Sequence, residues 1–125
     1  MTNKLVLASK FYKHIKEFMK DLITVFPDDR EIKVISSTIN IASMDDEEHE
    51  LISAFKEALT PLDTYIVDRD DQLFKQEPSS FCNINSNQYQ LFSKLHVYWD
   101  SLNETNRKIV WDYIQVIYGI VKQFD

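Results

Sequence analysis

Glycine is nearly missing from this chain. Gly119 is the single example in 125 residues, where about 7 % is usual. Tight hairpins and phosphate-cradling loops rely on glycine's freedom at positive φ. The shortage argues against all-β folds and against doubly wound nucleotide-binding folds. It also excludes the Walker loop and the dinucleotide fingerprint, each of which needs more than one glycine. Neither a Gly-x-Ser-x-Gly elbow nor a His-Glu-x-x-His pair occurs. Cysteine is equally scarce. Cys82 stands alone, so no disulfide forms within the chain, which suits a reducing compartment. Long apolar runs are lacking too. The apolar start, ending at Ala8, is too short for a secretory segment, and nothing approaches the roughly 20 residues of a membrane span. The expected setting is soluble and intracellular.

What is present is ordinary for a folded protein: 44 % apolar and 27 % charged residues. The length fits one domain over residues 1–125, large enough to hide roughly two-thirds of its unfolded surface. The net charge of −6 is uneven. Residues 1–27 hold five lysines against Glu17 and Asp21, residues 28–77 are strongly acidic, and residues 78–125 are balanced. An acidic middle repels phosphate backbones and argues against general nucleic-acid binding. It leaves room for a local contact by the basic first segment.

The periodicity predicts an all-α bundle of five to six helices. Phe11, Ile15, Phe18, Leu22 and Val25 form one stripe of a helix from about Lys4 to Phe26, and Pro27 helps end it. Asp28, with Glu31 three residues on, reads as a capping box. The run Ile32 to Ala42 is β-branched, yet Ile32, Ile35, Ile39 and Ala42 keep helical spacing. Ser43 or Asp45 is the expected cap of a third helix with its acids, Asp45 to Glu48, in the first turn. Leu51, Ile52, Phe55, Ala58 and Leu59 would be its buried face. Thr60-Pro61 reads as a helix restart, with a break over Asp68 to Asp71. Residues 76–87 read as a loop pinned by Phe81 and Ile84. A fifth helix is expected from about Asn87 to Leu102, and a sixth after a cap at Asn103 or Thr105. The sixth is apolar nearly all round, with Ile109, Tyr113, Val116, Ile120 and Phe124 on one face. Trp111, Ile114, Ile117, Tyr118 and Val121 lie around it. Such a helix is buried or covers two interfaces, and it is expected at the centre of the bundle. The pair is expected to form an antiparallel C-terminal hairpin.

Chemistry-bearing patterns are few. Asp46 and His49, three apart beside other acids, invite a metal. Dimetal carboxylate bundles need two Glu-x-x-His pairs and two further glutamates, so a capped, solvated turn explains these residues better. Asp68-Arg69-Asp70-Asp71 fails as a calcium loop, because the required glycine and glutamate are absent whether counting starts at Asp68 or Asp70. Cys82 with His96 lacks any local device to lower the thiol pKa. His14 reads as a surface histidine. No catalytic residue, metal or cofactor is therefore assigned. Two surfaces remain as candidates. Trp111, Ile114, Tyr118 and Val121 supply the aromatic character that interfaces favour. Lys10, Lys13, Lys16 and Lys20 share the outer arc of the first helix and could meet phosphate or anionic lipid.

The stretch Trp99-Asp100-Ser101-Leu102-Asn103, Asn106 and Ile109-Val110-Trp111-Asp112-Tyr113-Ile114-Gln115 resembles the ending of small, uncharacterised helical proteins of large nucleocytoplasmic DNA viruses. Pro61-Leu62 and Arg69-Asp70-x-x-Leu73-Phe74 are similar too. Ile114 stands where leucine is more usual. The resemblance implies a viral protein in an infected cell or a virion, and brings no activity or site residues with it. The function expected is that of a non-enzymatic protein–protein interaction module, self-associating or with another protein. The alternatives are binding of nucleic acid or an anionic surface through the lysines, and a metal-dependent enzyme near His49.

Overall fold

Asn3 sets the first helix: its side chain accepts the Leu5 N–H at 2.8 Å, satisfying one of the orphan donors of a helix start. The computed structural model describes residues 3–46 and 49–124. Helix α1 spans Lys4–Val25 and buries Leu7, Phe11, Ile15, Phe18 and Leu22 on one face. Val25, expected to close that stripe, is 38 % exposed. Phe26 turns inward instead and stacks on Tyr98, ring centroids 4.0 Å apart. Helix α2 spans Arg30–Met44 and buries Ile32, Ile35 and Ile39, so spacing outweighs β-branched propensity here. Its cap is Asp29, not Asp28: the Asp29 carboxylate accepts the N–H groups of Glu31 and Ile32 at 2.9 and 3.2 Å.

The expected start of the third helix is corrected. Helix α2 runs on through Ser43, whose hydroxyl donates to the Asn40 carbonyl, and Asp45 closes α2 rather than opening the next helix. Helix α3 spans Glu50–Leu59 and follows His49, which sits at φ 55°. Asp46 reaches across that turn to accept the Glu50 N–H at 2.8 Å. Glu47 and Glu48 lie outside the described residues. All five expected core residues of α3 are buried.

Thr60 is not a fresh cap. Its hydroxyl donates back to the Lys56 carbonyl at 2.6 Å, and the chain continues through a 3-10 turn, Thr60–Leu62, into helix α4, Asp63–Val67. The break at Asp68–Asp71 is present, with Arg69 at φ 49°. Helix α5, Gln72–Lys75, buries Leu73 and Phe74. A loop with one 3-10 turn, Pro78–Ser80, follows. Phe81 packs edge-on to Phe92 there, but Ile84 is exposed and pins nothing. Helix α6, Asn87–Tyr98, is capped by Ser86, and it passes into a 3-10 turn, Trp99–Ser101, short of the expected Leu102. Asn103, one of the two expected caps, opens helix α7, Glu104–Lys122. Among the described residues there is no strand.

Helix α7 lies along α1 and also meets α3 and α4, while α2 bridges α1 and α6. One connected core runs from Leu7 to Phe124. The two C-terminal helices share a corner more than a flank. There Phe74 stacks on Trp99 at 4.1 Å and tilts against Trp111 at 4.9 Å, and Trp99 meets Trp111 edge to face at 6.1 Å, the geometry aromatic quadrupoles favour.

Four tyrosines tie the elements together, each donating to an aspartate from another part of the chain. Tyr12 on α1 donates to Asp46, and Tyr98 on α6 to Asp29 at the start of α2. Tyr113 on α7 donates to Asp21 on α1 at 2.6 Å, and Tyr118 on α7 to Asp63 on α4. Burial first, then these carboxylates, push the Tyr113 and Tyr118 phenols up to about 12 and raise Tyr12 as well. Lys94 on α6 adds its charge to Asp29 at 3.0 Å. Burial alone would raise the Asp29 carboxyl. The bonds from Tyr98, Lys94 and the Ile32 N–H, with the Lys94 charge, outweigh it and hold the group at about 2.

Candidate functional site

The four interface candidates of α7 are core residues. Trp111, Ile114, Tyr118 and Val121 are each at most 5 % exposed, so no surface of this chain is built from them. The reason lies in how α7 is rolled. Its largest side chains turn inward against α1, α3, α4 and the aromatic corner. The other face, led by Ile109, is what remains outside. Ile109 and Val116 are 38 % and 44 % exposed, while Ile120 and Phe124 farther along are covered.

That open end of α7 faces the end of α1. Phe18, Leu22 and Val25 from α1, and Leu102, Ile109 and Val110 from the α7 side, enclose a cleft of about 260 Å³. Asp21 and Ile109 also line a second depression with His14, Asp112, Tyr113 and Val116. The Tyr113 ring stacks on Phe18 at 5.0 Å while its hydroxyl holds Asp21, so the wall between the two depressions is fixed. The result is an apolar trough whose lining also includes Asp21, Thr24 and Asn106.

Beside it, the sequence Trp111-Asp112-Tyr113-Ile114-Gln115 acts as a clasp. Trp111 donates to Asp71 at 3.1 Å, and the Arg69 guanidinium donates to Asp112 at 2.6 Å and to the Gln115 carboxamide oxygen at 2.7 Å. Gln115 then donates to the Ile66 carbonyl at 3.0 Å, closing the carboxyl end of α4. Arg69 and Lys108 draw the Asp112 carboxyl below its usual range. The two stretches that carry the viral resemblance therefore dock on one another, and in this chain they serve the fold.

The lysine candidates are where the sequence places them. Lys10, Lys13, Lys16 and Lys20 are all exposed along α1. Among the described residues, none has a carboxylate within ion-pair distance.

The groups considered for catalysis are not assembled. Burial pushes the Cys82 thiol up to about 12, so it holds almost no thiolate near neutrality. The His96 Nδ1 lies 2.8 Å from the Phe74 carbonyl. That oxygen can only accept, so Nδ1 carries the proton. The helical spacing that joined Asp46 to His49 is also lost, since His49 precedes α3 in a left-handed turn. Asp46 is occupied by Tyr12 and the Glu50 N–H. No group of three or more His, Cys, Asp or Glu able to hold a metal occurs among the described residues. No helix among them is long and apolar enough to cross a membrane.

Sequence reasoning missed two features. The Ile109 face was visible as an apolar stripe, but only packing shows that its first half stays uncovered. Gln88, the one polar residue buried among the described residues, has no signature in sequence at all. No protein-family model, no curated protein and no solved structure matches this chain.

Proposed function

We propose that the protein is a non-enzymatic interaction module that receives an apolar segment of a protein, its own copy or another, in the α1/α7 trough. The observation that carries this reading is half-exposed Val25 and Ile109 on an apolar cleft, with half-exposed Val116 in the depression next to it. Exposed apolar surface that is contiguous and rimmed by polar groups is characteristic of interaction sites. The viral setting implied by the C-terminal pattern belongs to the same proposal, with the module at work in an infected cell or particle.

Sedimentation velocity of the pure protein, followed by capture from its native cells, tests it. The wild-type chain should self-associate or retain a defined partner. An Ile109→Asp, Val116→Asp double variant should stay folded and lose that association. A wild-type protein that is monomeric at high concentration and captures nothing more than the variant does would sink the proposal.

A second reading rests on the exposed α1 lysines, which have no carboxylate in ion-pair range among the described residues. Each lysine that meets a phosphate would release a counterion and steepen the salt dependence of binding. Titration of duplex DNA, single-stranded RNA and anionic vesicles at low salt checks it. The reading requires binding that weakens with salt and disappears when the four lysines become glutamine.

A further inference from the structure

Helix α2 packs on α1 and α6 through Ile32, Ile35 and Ile39, and it carries a second row of side chains on its outer side. Arg30, Val34, Ser37, Ile41 and, just past the helix end, Asp45 recur at steps of three and four, with Thr38 beside Ser37. Such spacing puts them on one face, and all six are exposed. Val34 and Ile41 are 61 % and 68 % exposed. The middle of this face is uncharged. No acid or base occurs from Val34 to Met44, although charged residues make up 27 % of the chain. The centres of protein interfaces are depleted of charge in the same way. Charge returns at the two ends, as the cation Arg30 and the anion Asp45. Neither has an ion-pair partner among the described residues.

The order of these residues makes the face its own complement. A two-fold interface sets the same patch of two copies against itself. With the axis between Ser37 and Thr38 and the helices antiparallel, Arg30 meets Asp45 of the other copy at each end. Val34 then meets Ile41, and Ser37 meets Thr38. A parallel pairing would instead set Arg30 on Arg30 and Asp45 on Asp45, which like-charge repulsion opposes. Val34 also borders a cleft of about 330 Å³ between α2 and α6, lined by Ile35 and Tyr89 among others, a seat for Ile41 of the other copy. The Thr38 hydroxyl already donates to the Val34 carbonyl at 3.0 Å. It can be covered without losing that bond, and its oxygen still accepts from Ser37 across the axis. Each copy carries a net charge of −6, so an uncharged centre is what a contact between copies needs.

We propose that two copies of this chain associate through the outer faces of α2, antiparallel about a two-fold axis between Ser37 and Thr38. None of these residues lines the α1/α7 trough, so the inference stands apart from the function proposed above. A single helix pair covers less than the roughly 1,600 Å² of a standard interface, so the dimer is expected in the micromolar range. Sedimentation equilibrium of the full chain over a concentration series tests it, at about 0.15 M salt to screen the general repulsion. The Ile109→Asp, Val116→Asp background removes only what the trough carries, and in it the chain should still pass from monomer to dimer. Adding Ile41→Asp sets a charge in the apolar centre and should leave a monomer. Arg30→Glu or Asp45→Arg puts like charges at both ends, and each should weaken the dimer by about tenfold. Mixed in equal amounts, these two reversals regain opposite charges at both ends, so a heterodimer of about wild-type affinity should form. Circular dichroism checks that every variant is folded. A background chain that stays monomeric at millimolar concentration, a dimer indifferent to Ile41→Asp, or folded reversals that do not rescue one another would overturn the assignment.

Discussion

Asp29 does the work of several residues. It caps α2, accepts from Tyr98, and pairs with Lys94, so its carboxylate joins the starts and ends of two helices. Asp29→Ala should cost about 2 kcal/mol or more, since a cap and two cross-element bonds go together. Chemical denaturation of the two proteins measures it. The pH consequence follows from the direction of the shift. The folded carboxyl titrates near 2 against 3.8 unperturbed, so its stabilisation is complete above the unfolded value and is lost as pH falls from about 4 toward 2. The melting temperature should drop across that window, and less steeply in Asp29→Ala. The tyrosines work at the other extreme. Tyr113 and Tyr118 titrate near 12 when folded, against 10.0 unperturbed. A neutral phenol donating to a carboxylate stabilises the fold below pH 10, and that support is lost as pH rises through about 12. Spectrophotometric titration should show these phenols ionising late, while the unfolded chain ionises all its tyrosines near the ordinary value. None of these pairings could be read from the sequence. They join residues as much as 92 positions apart, and tyrosine–aspartate bonds leave no periodic trace.

At the scale of the element, the two faces of α7 give opposite forecasts. Trp111→Ala should cost about 3–5 kcal/mol by emptying the aromatic corner. Ile109→Ala should change stability by no more than about 0.5 kcal/mol. Thermal or urea unfolding of both variants compares them. The turn before α5 offers a sharper comparison. Arg69 holds φ 49° while its guanidinium grips Asp112 and Gln115. Arg69→Gly and Arg69→Ala lose the same grip, but only alanine retains the cost of a left-handed backbone. The alanine variant should be less stable than the glycine variant by about 1 kcal/mol. Elements such as α1, α2 and α3 were legible because their apolar residues recur at steps of three and four. Their ends were less so. Asp28 and Asp29 are both good caps by type, and only the reach of Tyr98 and Lys94 decides between them. The faces of α7 were ambiguous for a related reason: a helix apolar all round carries no mark of which side is covered. The corner with Phe74 and Trp99 resolves it by offering Trp111 the more complete burial.

For the whole molecule, a single continuous core predicts a single transition. Tryptophan fluorescence reports the Trp99–Trp111 corner and far-ultraviolet circular dichroism reports all the helices. Their urea curves should coincide, as expected of a small domain without a separable part. All-helical architecture was legible from the near absence of glycine and the helical spacing. Which helices become neighbours was not, because that depends on how surfaces fit after the elements exist. The decisive neighbour relation is α1 with α7, and it has a consequence in time. On the ribosome α1 emerges well before α7, one of the two helices packed most extensively against it. About 80 residues separate them, roughly 4–16 s of synthesis at usual rates. Throughout that interval Phe11, Ile15 and Phe18 have no native cover from α7. The nascent chain must keep an adhesive helix out of trouble until α7 has left the ribosome, so the contact of α1 with α7 is a late one to form.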